Sequence, residues 1–144
     1  MSECVFCEIV SGRAEASIVH EDAQLVAVMD LVPVNPGHVL VIPRSHVPLL
    51  SDLDEQLGAH VFTTAARVQR AIRDSGIRCD GINLFVADGE AAFQDVFHFH
   101  FHVFPRFEGD AFRIEADWQE AKRTDLDRLA RQIRIAYEKL FVPA

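Results

Sequence analysis

Apolar residues cluster in short segments along the chain, and their spacing predicts a sheet. In the first part of the chain, segments rich in Val and Ile are separated by Glu21-Asp22 and by the Pro- and Gly-containing residues 33–37. Short apolar segments with turn-forming residues between them are typical of strands joined by turns. Further along, Asp88-Gly89-Glu90 begins a turn between two more apolar segments. Strands are therefore predicted at residues 17–21, 24–29, 38–43, 81–87 and 94–104.

Two stretches carry apolar residues at every third or fourth position and predict helices. The first runs from Leu53 to Ile72, follows a sequence at 51–54 that resembles a capping box, and has Gly76 where a C-terminal cap belongs. The second lies in a C-terminal helical segment from about 115 to 140. The order β-β-β-α-β-β-α, with short links inside the strand runs, favours an antiparallel sheet carrying helices, an α+β fold. The second apolar stripe consists of Leu126, Leu129, Ala130, Ile133, Tyr137 and Leu140.

Composition narrows the class of protein. The 144 residues, 49% hydrophobic and 25% charged, predict a single domain over 1–144. No apolar run approaches a membrane span, and the start Met-Ser-Glu-Cys lacks the features of a signal peptide. With 14 basic and 22 acidic residues, a net charge of −8 argues against a nucleic-acid binder. Three cysteines are too few for a disulfide framework, so we expect a cytoplasmic protein. Because no apolar run is long enough to span a bilayer, we expect no membrane partner.

The seven histidines are unevenly spread, because three of them alternate with phenylalanine in His98-Phe99-His100-Phe101-His102. A period of two places the three imidazoles on one face of a strand, with Phe97, Phe99, Phe101 and Val103 on an opposite, buried face. Structural histidines are the alternative interpretation. Three histidines on a straight strand span roughly 13 Å, which is too far for one metal ion. The spacing therefore predicts a metal ligand at one end and chemistry at the middle or the other end.

A C-x-x-C pair, Cys4-Val5-Phe6-Cys7, offers two thiolates to one metal ion. A redox pair is less favoured, because Cys4 has neither a preceding strand nor a long following helix. Two thiolates and two imidazoles complete a closed tetrahedral site. The residues alone leave open which of the seven histidines contribute.

Nearly the whole chain, up to about residue 107, resembles the histidine-triad (HIT) family of bacterial nucleotide hydrolases and transferases. The resemblance rests on the triad at 98–104, the C-x-x-C pair with residues 8–10, Val28-Met29-Asp30, the segment from Pro36 to His46, and residues 89–94. It implies a five-stranded antiparallel sheet with two main helices. It also implies a homodimer in which two sheets join into one larger sheet.

The resemblance further implies a role for each matching residue. His100 is the nucleophile that attacks an α-phosphorus, His102 and His38 bind and orient the phosphate, and Gln94 hydrogen-bonds the phosphate or the bridging oxygen. Asp30 accepts hydrogen bonds from ribose hydroxyls, and Phe6 and Ile9 enclose the base. From residue type alone, core packing is the preferred explanation of Phe6 and Ile9, and Asp30 is equally well explained as a turn residue. The ligands of a structural Zn²⁺ are Cys4, Cys7, His46 and His98, and no organic cofactor is implied.

Three positions near the expected phosphate depart from the family pattern. Phe93 stands where a glycine is usual, Asp95 where a Ser or Thr hydroxyl assists the leaving group, and Ala87 where an asparagine is usual. An ionised Asp95 in the nucleotide site repels phosphate, so it either points elsewhere or is protonated and donates a proton. We expect a changed preference for the leaving group rather than lost activity.

These features predict a hydrolase or transferase that cleaves purine nucleoside phosphoramidates or dinucleoside polyphosphates through a nucleotidyl-His100 intermediate. A nucleotide-binding regulatory module with little turnover is the main alternative. A hydrolase that uses a catalytic metal is a third.

Overall fold

The computed structural model describes residues 4–143, and the chain divides into two compact units, 1–112 and 113–144. The first unit contains helix α1 (Val5–Val10), helix α2 (Glu55–Asp74) and all the strands. The strands are β1 (Ile18–Glu21), β2 (Leu25–Met29), β3 (Val39–Pro43), β4 (Gly81–Phe85) and β5 (Phe101–Arg106). They form one five-stranded sheet in the order β1-β2-β3-β5-β4, with every neighbouring pair antiparallel. The predicted α+β fold with a five-stranded antiparallel sheet is confirmed.

Strands β2 and β3 are apolar on both faces because a helix packs against each face. Leu25, Ala27, Val39 and Val41 join α2 in one core cluster. The intervening residues Val26, Val28, Leu40 and Ile42 join Phe6 and Val10 of α1 in a second cluster. Each strand thus divides its side chains between two cores, as the period of two requires.

Helix α2 begins later than the predicted capping box. Ser51 and Asp52 lie in a short 3-10 helix, and the N-cap is Asp54, whose carboxylate accepts from the backbone N–H of Gln56 and Leu57 at 3.0 and 3.2 Å. The capping box at 51–54 is therefore wrong, because the carboxylate of Asp54 itself satisfies two free amides of the first turn. At the other end Gly76 follows the C-cap with a φ of 84°, as expected of a helix C-terminus.

The main departure from the predicted strands lies at residues 94–100, which we call the histidine segment. Strand β5 begins at Phe101, so the expected strand at 94–104 is wrong over residues 94–100. There the ladder to β3 ends, because the N–H of Phe99 donates to Val47 O at 2.6 Å. His98, Phe99 and His100 stay buried, but Phe97 is 47% exposed and does not lie on a buried face.

The second unit contains helix α3 (Arg123–Phe141). The helix begins later than the expected segment from about 115, and no regular structure is assigned to 113–122. The prediction of a single domain stays a prediction. Within residues 4–143, no helix is both long enough and apolar enough to cross a membrane.

Candidate active site and metal centre

Four predicted metal ligands from three distant segments meet at one end of the sheet. Cys4 Sγ lies 3.4 Å from His98 Nδ1, and Cys7 Sγ lies 3.3 Å from His46 Nδ1 and 3.6 Å from His98 Nδ1. The four donor atoms all lie within 4.8 Å of one another. We call this group the metal cluster. The metal cluster therefore brings together the start of α1, the loop after β3 and the histidine segment.

The donor atoms of the metal cluster fit a structural zinc ion. His98 Nε2 lies 2.8 Å from Pro43 O, which can only accept, so Nε2–H donates and the Nδ1 lone pair faces the sulfurs. Burial lowers the pKa of His98 and keeps its imidazole neutral, as a metal ligand must be. Burial and then the Cys4 thiol raise the pKa of Cys7, an effect that a bound cation reverses. Two sulfurs and two nitrogens make a closed tetrahedral set.

His100 is held with one nitrogen free. Its Nδ1–H donates to His98 O at 2.8 Å, so the lone pair of Nε2 is left for chemistry. The residue is only 4% exposed, and the Phe6 ring packs edge-on against it with the ring centres 4.9 Å apart. Asp95 Oδ1 lies 3.9 Å from His100 Nε2. A fixed tautomer with a free Nε2 makes this imidazole a candidate nucleophile.

His102 and His38 form a hydrogen-bonded pair whose direction is set by the backbone. The N–H of Val34 donates to His38 Nδ1 at 3.0 Å, so His38 carries its proton on Nε2. That Nε2–H donates to His102 Nδ1 at 2.9 Å, which leaves His102 with an Nε2–H. Burial lowers the pKa of both imidazoles, and that of His102 falls to about 4. Both rings are therefore neutral at pH 7.

A first cavity of about 190 Å³ places the expected nucleotide contacts together. Phe6 contributes to the core on one side and to the cavity wall on the other, so its two interpretations are compatible. Asp30 accepts from the N–H of Val32 at 2.9 Å, and its other oxygen lies 3.5 Å from His38 Nε2. The residues that line this cavity include Phe6, Ile9, Asp30, Asp95, His100 and His102.

Gln94 is buried, but its amide is used inside the protein. Its Oε1 accepts from the N–H of Gly89 at 2.7 Å, and its Nε2 donates to Pro48 O and Val96 O at 2.7 and 3.1 Å. It lines neither of the two cavities beside the histidines. The structure therefore brings every other predicted site residue to the metal cluster or to one of these two cavities, while Gln94 holds together the loops around them.

The three unusual positions have different surroundings. Ala87 is buried and lines neither cavity. Phe93 is 86% exposed and has a φ of 70°, the only described residue other than glycine with a positive φ. Asp95 is exposed at the cavity mouth, and its Oδ1 accepts from the N–H of Val96. Asp95 therefore points into the site rather than elsewhere.

Some contributors to the site were absent from the sequence predictions. Buried Asn35 donates to Asp110 at 2.8 Å and to Pro105 O at 2.9 Å, and Asp110 accepts two hydrogen bonds from Arg106. The Arg106 guanidinium holds the pKa of Asp110 well below its usual range. This network fixes the loop that carries Val34 and His38. The only signal of this network in the sequence was the polar residue Asn35 within the turn at 33–37.

Comparisons with known proteins agree with this geometry. A crystal structure from Streptococcus mutans UA159 superimposes with a TM-score of 0.89 at 36% identity, covering 96% of this chain and 87% of that one. A zinc-bound histidine triad family protein from Mycobacterium smegmatis gives a TM-score of 0.73 at 39% identity, covering 95% and 96% of the two chains. The adenylylsulfatase HINT3 of Arabidopsis thaliana is 34% identical over 110 residues, 76% of this chain and 55% of that protein. Because the HIT domain profile matches residues 11–109, the chain belongs to the HIT domain family.

Proposed function

We propose that the protein is a nucleotide hydrolase or nucleotidyl transferase that cleaves at the α-phosphate through a covalent nucleotidyl-His100 intermediate. The observation that carries the proposal is the tautomer of His100, whose Nδ1–H is given to His98 O while Nε2 is free beside the first cavity. The family supports a nucleotide ligand. The name of the Arabidopsis relative, an adenylylsulfatase, supports hydrolysis of an adenylyl compound.

In the first half-reaction, His100 Nε2 attacks the α-phosphorus, and the bond to the leaving atom breaks. The leaving atom keeps the bonding electron pair, and an amine nitrogen takes a proton from water. The His100 and His102 ring centres are 4.9 Å apart, so both side chains reach one phosphoryl group. The Nε2–H of His102 would donate to a phosphoryl oxygen as its charge grows.

In the second half-reaction, water attacks the phosphorus and the bond to His100 Nε2 breaks. The nitrogen keeps the electron pair, and the water loses a proton to solvent, which balances the proton taken up before. A nucleoside monophosphate is released. Another acceptor in place of water gives transfer.

The nucleoside is held by the rest of the first cavity. Asp30 has a carboxylate fixed by the N–H of Val32, which suits it to accept from ribose hydroxyls. Phe6 and Ile9 offer apolar surface to a base. Purine nucleoside phosphoramidates and dinucleoside polyphosphates are the proposed substrates. A zinc ion in the metal cluster would be structural, since protein donors fill all four positions.

A trapping experiment tests the intermediate. The protein is mixed with an adenosine phosphoramidate labelled at the α-phosphorus and denatured within seconds. We expect acid-labile label and turnover in the wild type and in His20→Ala, a control whose histidine lines neither cavity. His100→Ala should take no label and lose roughly a thousand-fold or more in kcat, yet still bind AMP in calorimetry. Turnover by His100→Ala within ten-fold of the wild type would overturn the mechanism.

A nucleotide-binding module with little turnover is the second candidate. The departures at Phe93, Asp95 and Ala87 favour it, because all three differ from the usual residues near the expected phosphate, and Asp95 lies at the cavity mouth. Tight AMP binding with negligible turnover of every phosphoramidate and dinucleotide tested would support this module. Activity lost on chelation before any loss of folding would instead support the metal hydrolase.

We further propose a cytoplasmic homodimer with a continuous sheet. Strand β4 is at the sheet edge, and its Leu84 and Phe85 are 40% and 38% exposed. An edge strand with exposed apolar residues is suited to pairing. Light scattering should give twice the chain mass, and Leu84→Lys should shift it towards the monomer. A monomeric wild type would refute the dimer.

A further inference from the structure

A second cavity, of about 370 Å³, lies beside the first. The two cavities share three lining residues, Asp30, Asp95 and His102. His100 lines the first cavity only. The remaining wall of the second cavity is apolar and aromatic apart from His38, and consists of Val32, Val34, Phe85, Phe104 and Phe112.

The second cavity adjoins the cavity of the nucleophile through the three residues that they share, so it is within reach of a group that leaves the same phosphorus. In an in-line displacement, the leaving group lies on the side of the phosphorus opposite to the nucleophile. His100 lines only the first cavity, whereas His102 lines both, so we place the departing group in the cavity that His100 does not line. This assignment rests on the function proposed above, since it requires His100 to be the nucleophile.

The charged residues that line the second cavity are of one sign. None of the described residues that line it is Lys or Arg, while Asp30 and Asp95 are both acidic. The carboxylate of Asp30 is engaged by the N–H of Val32 and lies beside His38. Asp95 has an 84% exposed side chain and stands at the junction, 3.9 Å from His100 Nε2. A departing group therefore meets the charge of Asp95 first.

We propose that the second cavity is the leaving-group subsite and that Asp95 makes it select against anionic leaving groups. Phosphate or sulfate would carry two negative charges past the Asp95 carboxylate. At about 6 Å in surroundings like water, this repulsion corresponds to roughly a ten-fold loss of rate. An amine carries no negative charge, because its nitrogen keeps the electron pair of the broken P–N bond, takes one proton from water as the bond breaks and takes a second from solvent, equal to the one that the released monophosphate gives up. The resulting ammonium is attracted to Asp95, and an aromatic or aliphatic body fits the apolar wall.

The test compares two adenylyl substrates that differ only in the leaving group. One is the adenosine 5′-phosphoramidate of 2-phenylethylamine, and the other is adenosine 5′-phosphosulfate. The ratio of kcat/KM for the amine to that for the sulfate is the readout. We expect Asp95→Ser and Asp95→Asn to lower this ratio roughly ten-fold or more. Asp74→Ser, which changes the net charge equally at an exposed position outside both cavities, should keep the wild-type ratio.

Two further measurements separate an effect of charge from a general loss of activity. Val32 is 85% exposed on the cavity wall, so Val32→Lys adds a cation there without disturbing the core, and the ratio should fall because the sulfate rate rises. In the wild type, raising NaCl to 0.5 M should also lower the ratio, since the carboxylate of Asp95 is open to screening. The assignment of the second cavity is overturned if the ratio in both Asp95 variants stays within two-fold of the wild-type ratio. It is also overturned if Val32→Lys does not raise kcat/KM for the phosphosulfate. Full turnover by His100→Ala would instead refute the proposed function itself.

Discussion

Acidification is expected to destabilise the protein through His102, whose imidazole is neutral inside the site. Burial, followed by the charges that His100 and His38 would carry, lowers its pKa from 6.5 to about 4. Asp30 and Asp95 oppose that shift without cancelling it. The imidazole of His102 binds a proton near pH 6.5 in the unfolded chain and only near pH 4 in the folded chain. Its contribution to the free energy of unfolding is therefore fully present above pH 6.5 and is lost as the pH drops towards 4.

The size of the effect follows from the two pKa values. Between pH 7 and pH 5, a group with these values reduces the free energy of unfolding by about 2 kcal/mol. With a urea m-value of about 2 kcal/mol/M, the unfolding midpoint should move down by roughly 1 M. Burial also lowers the pKa of His38, which adds to the loss in the same direction.

The matched variant is His102→Asn, whose amide oxygen can replace Nδ1 as the acceptor for His38 Nε2–H. Urea unfolding followed by circular dichroism at pH 7, 6 and 5 should show a smaller loss of stability in the variant, by about 2 kcal/mol at pH 5. Any acid sensitivity of the metal cluster is common to both proteins and cancels in the difference. If the midpoints of both proteins move in parallel with pH, the neutral buried state of His102 is wrong.

Three further changes test other parts of the structure. Phe93→Gly should raise the free energy of unfolding by about 1 kcal/mol, because it removes the strain of a left-handed backbone conformation. Phe97→Gly, at an exposed residue without a positive φ, should lower the free energy of unfolding. Equal effects of the two substitutions would argue against strain at Phe93. Cys7→Ser should lower the zinc content per chain measured by atomic emission, and chelation should lower the Tm of the wild type but not of the variant. Leu25→Ala, at a fully buried position, should cost about 3 kcal/mol in urea unfolding, and a loss under about 1 kcal/mol would contradict its place in the core.

The sequence predicted the parts of the fold in which the hydrophobic pattern and the hydrogen bonds agree. Strands β2 and β3 lie within a residue of their predicted limits, since their apolar runs are buried on both faces. Around His98 and His100 the alternation persists, but the backbone bonds outside the β3 ladder. Alternation of residue types there reports neither strand pairing nor alternating burial, since Phe97 is exposed while His98, Phe99 and His100 are all buried. Helix α1 escaped prediction because its six residues are too few to show a helical period.

The candidate site was foreseen as a set of residues more than as a set of contacts. The C-x-x-C pair and the triad indicated which residues belong to the site. They contained no information on the carbonyl of Pro43 or the amide of Val34, which decide the tautomers of His98 and His38. Backbone groups carry no signature in a sequence. For the same reason, the use of the Gln94 amide within the loops was not foreseen.

The metal cluster also has a consequence for the chain during its synthesis. Cys4 and His98, whose side chains lie 3.4 Å apart in the folded protein, are separated by 94 positions in sequence. At about 5 to 20 residues per second, the ribosome makes the second partner roughly 5 to 20 seconds after the first. During that interval Cys4 lacks His98, although His46, the imidazole beside Cys7, follows Cys7 by only 39 positions. An oxidant in that period would meet the Cys4–Cys7 pair before its set of four ligands is complete, so synthesis is a stage at which these thiols are open to oxidation.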